Sequence, residues 1–242
     1  GLLRIALGAI VAVLFCVITK IFLISSGKRF TPVGTTLALT AYASLLAPIT
    51  SIRPQVIAIT ILAVGLLKLI QRPKRFEVPL LFALTVTVVN LHVYWIFLPL
   101  MYGMYRLLPS LIRKDTERAK LHLGGFAALC CAGLISPYGW SNYALIYEYL
   151  QLPLYLRQHI SEFQGAMVPD SGMVWILLAS LLLFTRGFSL KRFLARPAPV
   201  LGTALGFILA VRTVKFVSLF VLWSSPYLGS LLTPFFQKLL PT

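Results

Sequence analysis

Residues 78–108 read VPLLFALTVTVVNLHVYWIFLPLMYGMYRLL, 31 residues in a row whose one charged member is Arg106. A helix that crosses a bilayer needs about 20 apolar residues, with a range near 17–25, so this run is too long for one ordinary pass. Basic clusters flank it: Arg72, Lys74 and Arg75 on one side, Arg113, Lys114, Arg118 and Lys120 on the other. A single pass would put the two clusters on opposite faces of a membrane, whereas Lys and Arg collect in cytoplasmic loops. Two short helices turning near Asn90-Leu91-His92 put both clusters on the same face. The expected fold is therefore all-α, a polytopic transmembrane helical bundle of about nine membrane-embedded segments that includes this short hairpin.

The rest of the chain reads the same way. Further apolar runs cover residues 2–24, 31–51, 54–70, 120–136, 172–185, 199–211 and 216–236. Of the 242 residues, 59% are hydrophobic and 12% charged, with a mean hydropathy of +0.89. A soluble domain carries roughly 25% charged residues, so soluble enzymes, disordered chains and disulfide scaffolds are excluded. The net charge of +16 would suggest nucleic acid in a soluble protein. Here the cations punctuate apolar runs and the aromatics lie within those runs, so no nucleic-acid partner is expected. With the hairpin in place, 17 of the 22 Lys and Arg fall on the cytoplasmic face. Arg4, Arg53, Arg157, Arg212 and Lys215 fall outside, as does the N-terminus of the chain. The expected location is the bacterial inner membrane.

The expected outer face gathers the unusual residues. The connection 137–171 has no Lys and one Arg, and holds Glu148, Glu162 and Asp170, three of the six acidic residues. Tyr138, Trp140, Tyr143, Tyr147, Tyr149 and Tyr155 give it the look of an extracytoplasmic loop lying along the headgroups. Connections this long without a span of their own are usually functional. Charges at the membrane edge cost up to about 2.5–3.5 kcal/mol on insertion scales and invite a functional explanation. Arg53 sits in Ser51-Ile52-Arg53-Pro54-Gln55, and Arg212 and Lys215 sit in Val211-Arg212-Thr213-Val214-Lys215-Phe216. On a helix, Arg212 and Lys215 would share a face at i,i+3. These cations have no acidic sequence neighbour and suit an anionic ligand such as lipid phosphate; the plainer reading is that they snorkel to headgroups. Asn90 and His92 either bind substrate or satisfy backbone groups freed where helices break. His159 and Glu162, at i,i+3, form either an acid/base pair or a surface pair. His122 reads as a boundary residue. Cys16, Cys130 and Cys131 read as small packing residues, and no metal-ligand spacing occurs.

Taken in order, Ser51-Ile52-Arg53-Pro54-Gln55, Asn90-Leu91-His92, Ser136-Pro137-Tyr138-Gly139, Ile160-Ser161-Glu162-Phe163 and Val211-Arg212-Thr213-Val214-Lys215-Phe216 form a series. This series resembles the C-terminal half of bacterial polytopic membrane proteins of the glycosyltransferase C superfamily type, over about residues 30–230. The resemblance implies an active site on the extracytoplasmic side, a polyprenyl-phosphate sugar donor, and a lipid, glycan or protein hydroxyl as acceptor. It implies phosphate binding by Arg53, Arg212 and Lys215, and a sugar or acceptor site lined by Asn90, His92 and Glu162. The ligand expected is a bound lipid or polyprenyl phosphate, with membrane lipids and other membrane subunits as partners. No cofactor is indicated.

Two departures qualify the resemblance. Enzymes of the superfamily carry an acid in the first outer loop, and here no Asp or Glu precedes Glu77. Val93-Tyr94 and Ser136 stand where two glycines and an Asn would be expected. The chain therefore reads as a single transmembrane domain, residues 1–242, that is either the C-terminal part of a longer protein or a degenerate relative that no longer catalyses transfer. It would be an enzyme if a preceding half supplies the acid. The alternative is a non-catalytic integral membrane subunit of a larger complex. A transporter ranks last, because no acidic residue interrupts the interior of a span.

Overall fold

In a computed structural model, the structure describes residues 2–25, 54–151, 185, 190–212 and 216–239. All regular elements among them are helical, with no strand. Two helical segments, Gly8–Ser25 and Val93–Ile112, are long and apolar enough to cross a membrane. Pro54–Ile70, Glu77–Val89 and Pro197–Val211 are apolar but shorter. The expected runs 31–51 and most of 172–185 lie outside the described residues.

The chain forms two compact units, residues 1–17 with 51–152 and residues 18–50 with 153–242. Helix α1 (Leu2–Ser25) contributes to both, with a buried stripe of Leu14, Ile18, Ile21 and Phe22 at helical spacing.

The first unit carries α2 (Pro54–Ile70), α3 (Glu77–Val89), α4 (Val93–Ile112), α5 (Thr116–Ala132) and α6 (Ser141–Gln151). The run 78–108 does fold as a hairpin. Glu77 lies 13 residues before Asn90 and Arg106 lies 14 after His92, yet their side chains meet at 2.7 Å. Positions equidistant from a turn can touch only if the two arms run antiparallel. The arms are unequal, however. With a rise of 1.5 Å per residue, α3 is about 20 Å long and α4 about 30 Å, so one arm is short and the other matches a hydrocarbon core. Helix α4 extends past the expected residue 108 to Ile112. It begins as a 3₁₀ turn, Val93–Ile96, and widens to a π-helical turn over Gly103–Leu107. Pro109 lacks an N–H and crowds the carbonyl four residues back, and the wider turn just before it relieves that conflict.

Helix α5 also differs from its expected bounds of 120–136. Asp115 accepts a bond from Arg118 N at 3.1 Å, an N-cap that starts the helix at Thr116. It stops at Ala132, and the following turn closes through Gly133 N to Cys130 O and Leu134 N to Cys131 O. His122, expected at a boundary, has its Nδ1 3.0 Å from the Tyr102 hydroxyl.

The alternation of helices sorts charge. All nine Lys and Arg of residues 54–151 belong to the end of α2, the loop 71–76, the far half of α4, the turn 113–115 or the first turns of α5. The opposite end, formed by the tip 90–92, the connection 133–140 and α6, carries no cation among the described residues.

In the second unit, α7 (Leu190–Ala195) leads into α8 (Pro197–Arg212), which packs against α9 (Val217–Leu239). Their close approach is set by glycine: a Cβ on Gly206 would lie 2.9 Å from Phe220 Cα. Within these apolar helices, buried hydroxyls bond to their own helix. Thr203 reaches Pro199 O at 2.8 Å and Ser225 reaches Leu222 O at 2.7 Å, as Thr60 and Thr85 do in α2 and α3. Such bonds spare a polar group the desolvation cost of a site without water.

Candidate functional site

At the end of the first unit where residues 54–151 carry no cation lies an open groove of about 590 Å³, lined by the hairpin tip, the connection 133–140 and α6. The tip is shaped by its polar residues. His92 is extended (φ −162°, ψ 151°), which ends the helical path, and its Nδ1 accepts from Tyr94 N at 3.3 Å to cap α4. Asn90 donates through Nδ2 to Val86 O at 2.8 Å and to Ile135 O at 3.1 Å. The first bond satisfies a carbonyl at the end of α3, and the second ties the tip to the facing connection. Both residues thus satisfy backbone groups at the helix break, and both also line the groove.

The facing wall is built around Asn142, a buried side chain at the start of α6. Its Nδ2 lies 3.2 Å from Gly133 O, 2.5 Å from Ser136 Oγ and 3.4 Å from Gly139 O. Ser136 Oγ in turn accepts from Tyr138 N at 3.2 Å. Gly139 takes φ +47°, a left-handed conformation that a side chain would disfavour. Tyr143 donates its hydroxyl to Cys130 O, joining α6 to α5. Burial raises this phenol above its ordinary range, so it stays protonated and remains a donor.

Trp95 forms the floor. Its indole lies where a side chain on Gly133 would have to go, and meets the Tyr143 ring edge-on at 5.0 Å. Trp140 stacks on Tyr143 with ring centroids 5.1 Å apart. Trp95 is 1% exposed, and its Nε1 has no hydrogen-bond partner among the described residues. On α6, Ser141, Leu145 and Glu148 recur at i, i+4 and i+7 and so share one face, which lines the groove.

The candidates read from sequence divide accordingly. Asn90 and His92 come together at the groove. Arg53, Lys215, Glu162 and His159 lie outside the described residues, as does the side chain of Arg212, the last residue of α8. The structure adds Trp95, Tyr138, Ser141, Asn142 and Glu148. Tyr138 and Glu148 carried a sequence signal as members of the aromatic, acid-bearing loop. Trp95 carried none, because it sits inside an apolar run. Among the described residues, no group of three His, Cys, Asp or Glu side chains could hold a metal ion.

Chemically, the groove offers an amide, an imidazole, a hydroxyl, a carboxylate and aromatic faces, and no cation among the described residues. That combination suits a neutral, polyhydroxylated ring. Its hydroxyls can exchange bonds with Asn90, Ser141 and Glu148, while its C–H face lies on an aromatic side chain. No family model, no curated protein and no solved structure matches the chain.

Proposed function

We propose that the protein is a bacterial inner-membrane protein of glycosyltransferase type that takes the sugar of a polyprenyl-phosphate donor on the extracytoplasmic side. In this reading about nine segments are embedded in the membrane and the N-terminus of the chain lies outside. One observation carries it: within residues 54–151 the groove opens at one end, and all nine Lys and Arg of that stretch gather at the other. The positive-inside rule makes the cation-rich end cytoplasmic and the groove end external.

Transfer needs a carboxylate to take the proton of the acceptor hydroxyl. The acceptor oxygen then attacks the anomeric carbon as the bond from that carbon to the phosphate oxygen breaks, and polyprenyl phosphate leaves as the anion. Glu148 is the carboxylate at the groove among the described residues, and we assign it that role. Arg53, Arg212 and Lys215 remain the residues that the family resemblance gives to the phosphate.

The test is a binding and transfer assay with the purified full chain and radiolabelled polyprenyl-phosphate sugars. Binding with transfer, and a Glu148→Gln variant that binds but transfers about 10²–10⁴-fold more slowly, is the expected result. Binding without transfer would favour a non-catalytic subunit. No binding of any such lipid would end the sugar reading.

A further inference from the structure

The loop between α2 and α3, Gln71-Arg72-Pro73-Lys74-Arg75-Phe76, lies at the opposite end of the unit from the groove. Arg72, Lys74 and Arg75 are all exposed, three like charges within four residues. The acids of this unit are engaged elsewhere: Glu77 with Arg106, Asp115 with Arg118, and Glu117 with Lys120, while Glu148 belongs to the groove end. The three loop cations therefore have no acidic partner among the described residues.

Their placement is nevertheless fixed. Arg106 donates through Nη2 to Gln71 O at 3.0 Å and through Nε and Nη2 to the Glu77 carboxylate at 2.7 Å each. One part-buried guanidinium thus holds both ends of the loop, and Glu77 N to Lys74 O at 3.0 Å closes it within. Pro73 stiffens the middle. The protein has built a rigid cationic cluster and left it unneutralised.

The apolar surface beside it has a matching shape. Phe76 is 73% exposed. From it an exposed stripe runs up α3 through Leu80 and Ala83 to Thr87, at i+4, i+7 and i+11. At 1.5 Å per residue this stripe is about 16 Å long, comparable to an extended acyl chain. A cationic cluster at the end of an uncovered apolar stripe has the outline of a charged lipid.

We propose that loop 71–76 and the outer face of α3 bind one anionic phospholipid. Its phosphodiester lies against Arg72, Lys74 and Arg75, and an acyl chain lies along Phe76, Leu80 and Ala83. The site is separate from the groove and shares with the sugar reading only the premise that the bundle lies in a membrane.

The experiment is a lipid titration of the detergent-purified full chain, followed by native mass spectrometry. Phosphatidylglycerol, phosphatidylcholine of the same chains and inorganic phosphate are the probes. Phosphatidylglycerol should bind with a stoichiometry of one and the others should not bind at the same concentration. Each cation near an anionic headgroup is worth about a fivefold change, so Arg72→Gln/Lys74→Gln/Arg75→Gln should weaken binding roughly a hundredfold. Phe76→Ala should weaken it less, and Arg113→Gln/Lys114→Gln, which removes charge from the other loop, should leave it within about twofold. Equal loss in the Arg113/Lys114 variant would mean diffuse charge and overturn the site. Equal binding of phosphatidylcholine, or displacement of the lipid by inorganic phosphate or by a single-stranded oligonucleotide, would overturn it as well.

Discussion

Arg106 shows how one side chain can organise an end of the molecule. Its side chain is 11% exposed and that of Glu77 8%, so two charges are held with little water around them. Such a pair is tolerable because the guanidinium grips the carboxylate with two bonds and gives a third to a main-chain oxygen. The cost of burial then appears only when one partner is removed. Arg106→Leu should lose about 3–5 kcal/mol by stranding Glu77, whereas Glu77→Leu/Arg106→Leu should recover most of it. A double-mutant cycle of thermal unfolding in detergent checks this; additive losses would show that the two side chains are not coupled. Asn90 plays a comparable part at the other end, where its amide joins two segments 45 residues apart.

Between elements, the deciding feature is how closely helices approach. In the α8–α9 pair, Gly202 and Gly206 lie four residues apart on the face that meets α9, the small-xxx-small spacing that lets apolar helices come together without a hydrophobic driving force. They are not equivalent. A Cβ at Gly206 would sit 2.9 Å from the Phe220 backbone, which cannot turn aside, while one at Gly202 would sit at an ordinary 3.6 Å from Trp223. Gly206→Ala should therefore cost about 1–3 kcal/mol by forcing the helices apart, and Gly202→Ala should be near neutral. Melting temperatures of the two variants in one detergent make the comparison; equal shifts would contradict the contact geometry. The same reasoning applies to Gly133, whose missing side chain gives the Trp95 indole its place beneath the groove.

For the molecule as a whole, the segregation of charge predicts which end faces which compartment. Lys74 stands in the cation-rich loop and Tyr138 at the rim of the groove, both exposed. In a chain freed of Cys16, Cys130 and Cys131, Lys74→Cys and Tyr138→Cys can be labelled with a membrane-impermeant maleimide. In intact cells Tyr138→Cys should react and Lys74→Cys should not, and opening the cells should expose the second. Reaction of both from the outside would mean that the first unit does not cross the membrane between its two ends.

Composition and apolar run length determined by themselves that the chain is helical and apolar enough for a membrane, because both are local properties of a segment. The reversal at Asn90-Leu91-His92 was also within reach of the sequence, since long apolar runs flanked by like charges admit few arrangements. The helix bounds were less so. The Asp115 cap and the π turn before Pro109 moved the ends of α5 and α4 by several residues, because caps and widened turns depend on one side chain each. What only the tertiary structure decided is which residues share the groove and which share the lipid-shaped surface. Trp95 meets Asn142 and Glu148 across more than 40 residues of chain, and Arg106 pins a loop 30 residues before it. Neither meeting leaves a periodic trace, because each joins side chains and main chain far apart in sequence that only the packing of the helices brings together.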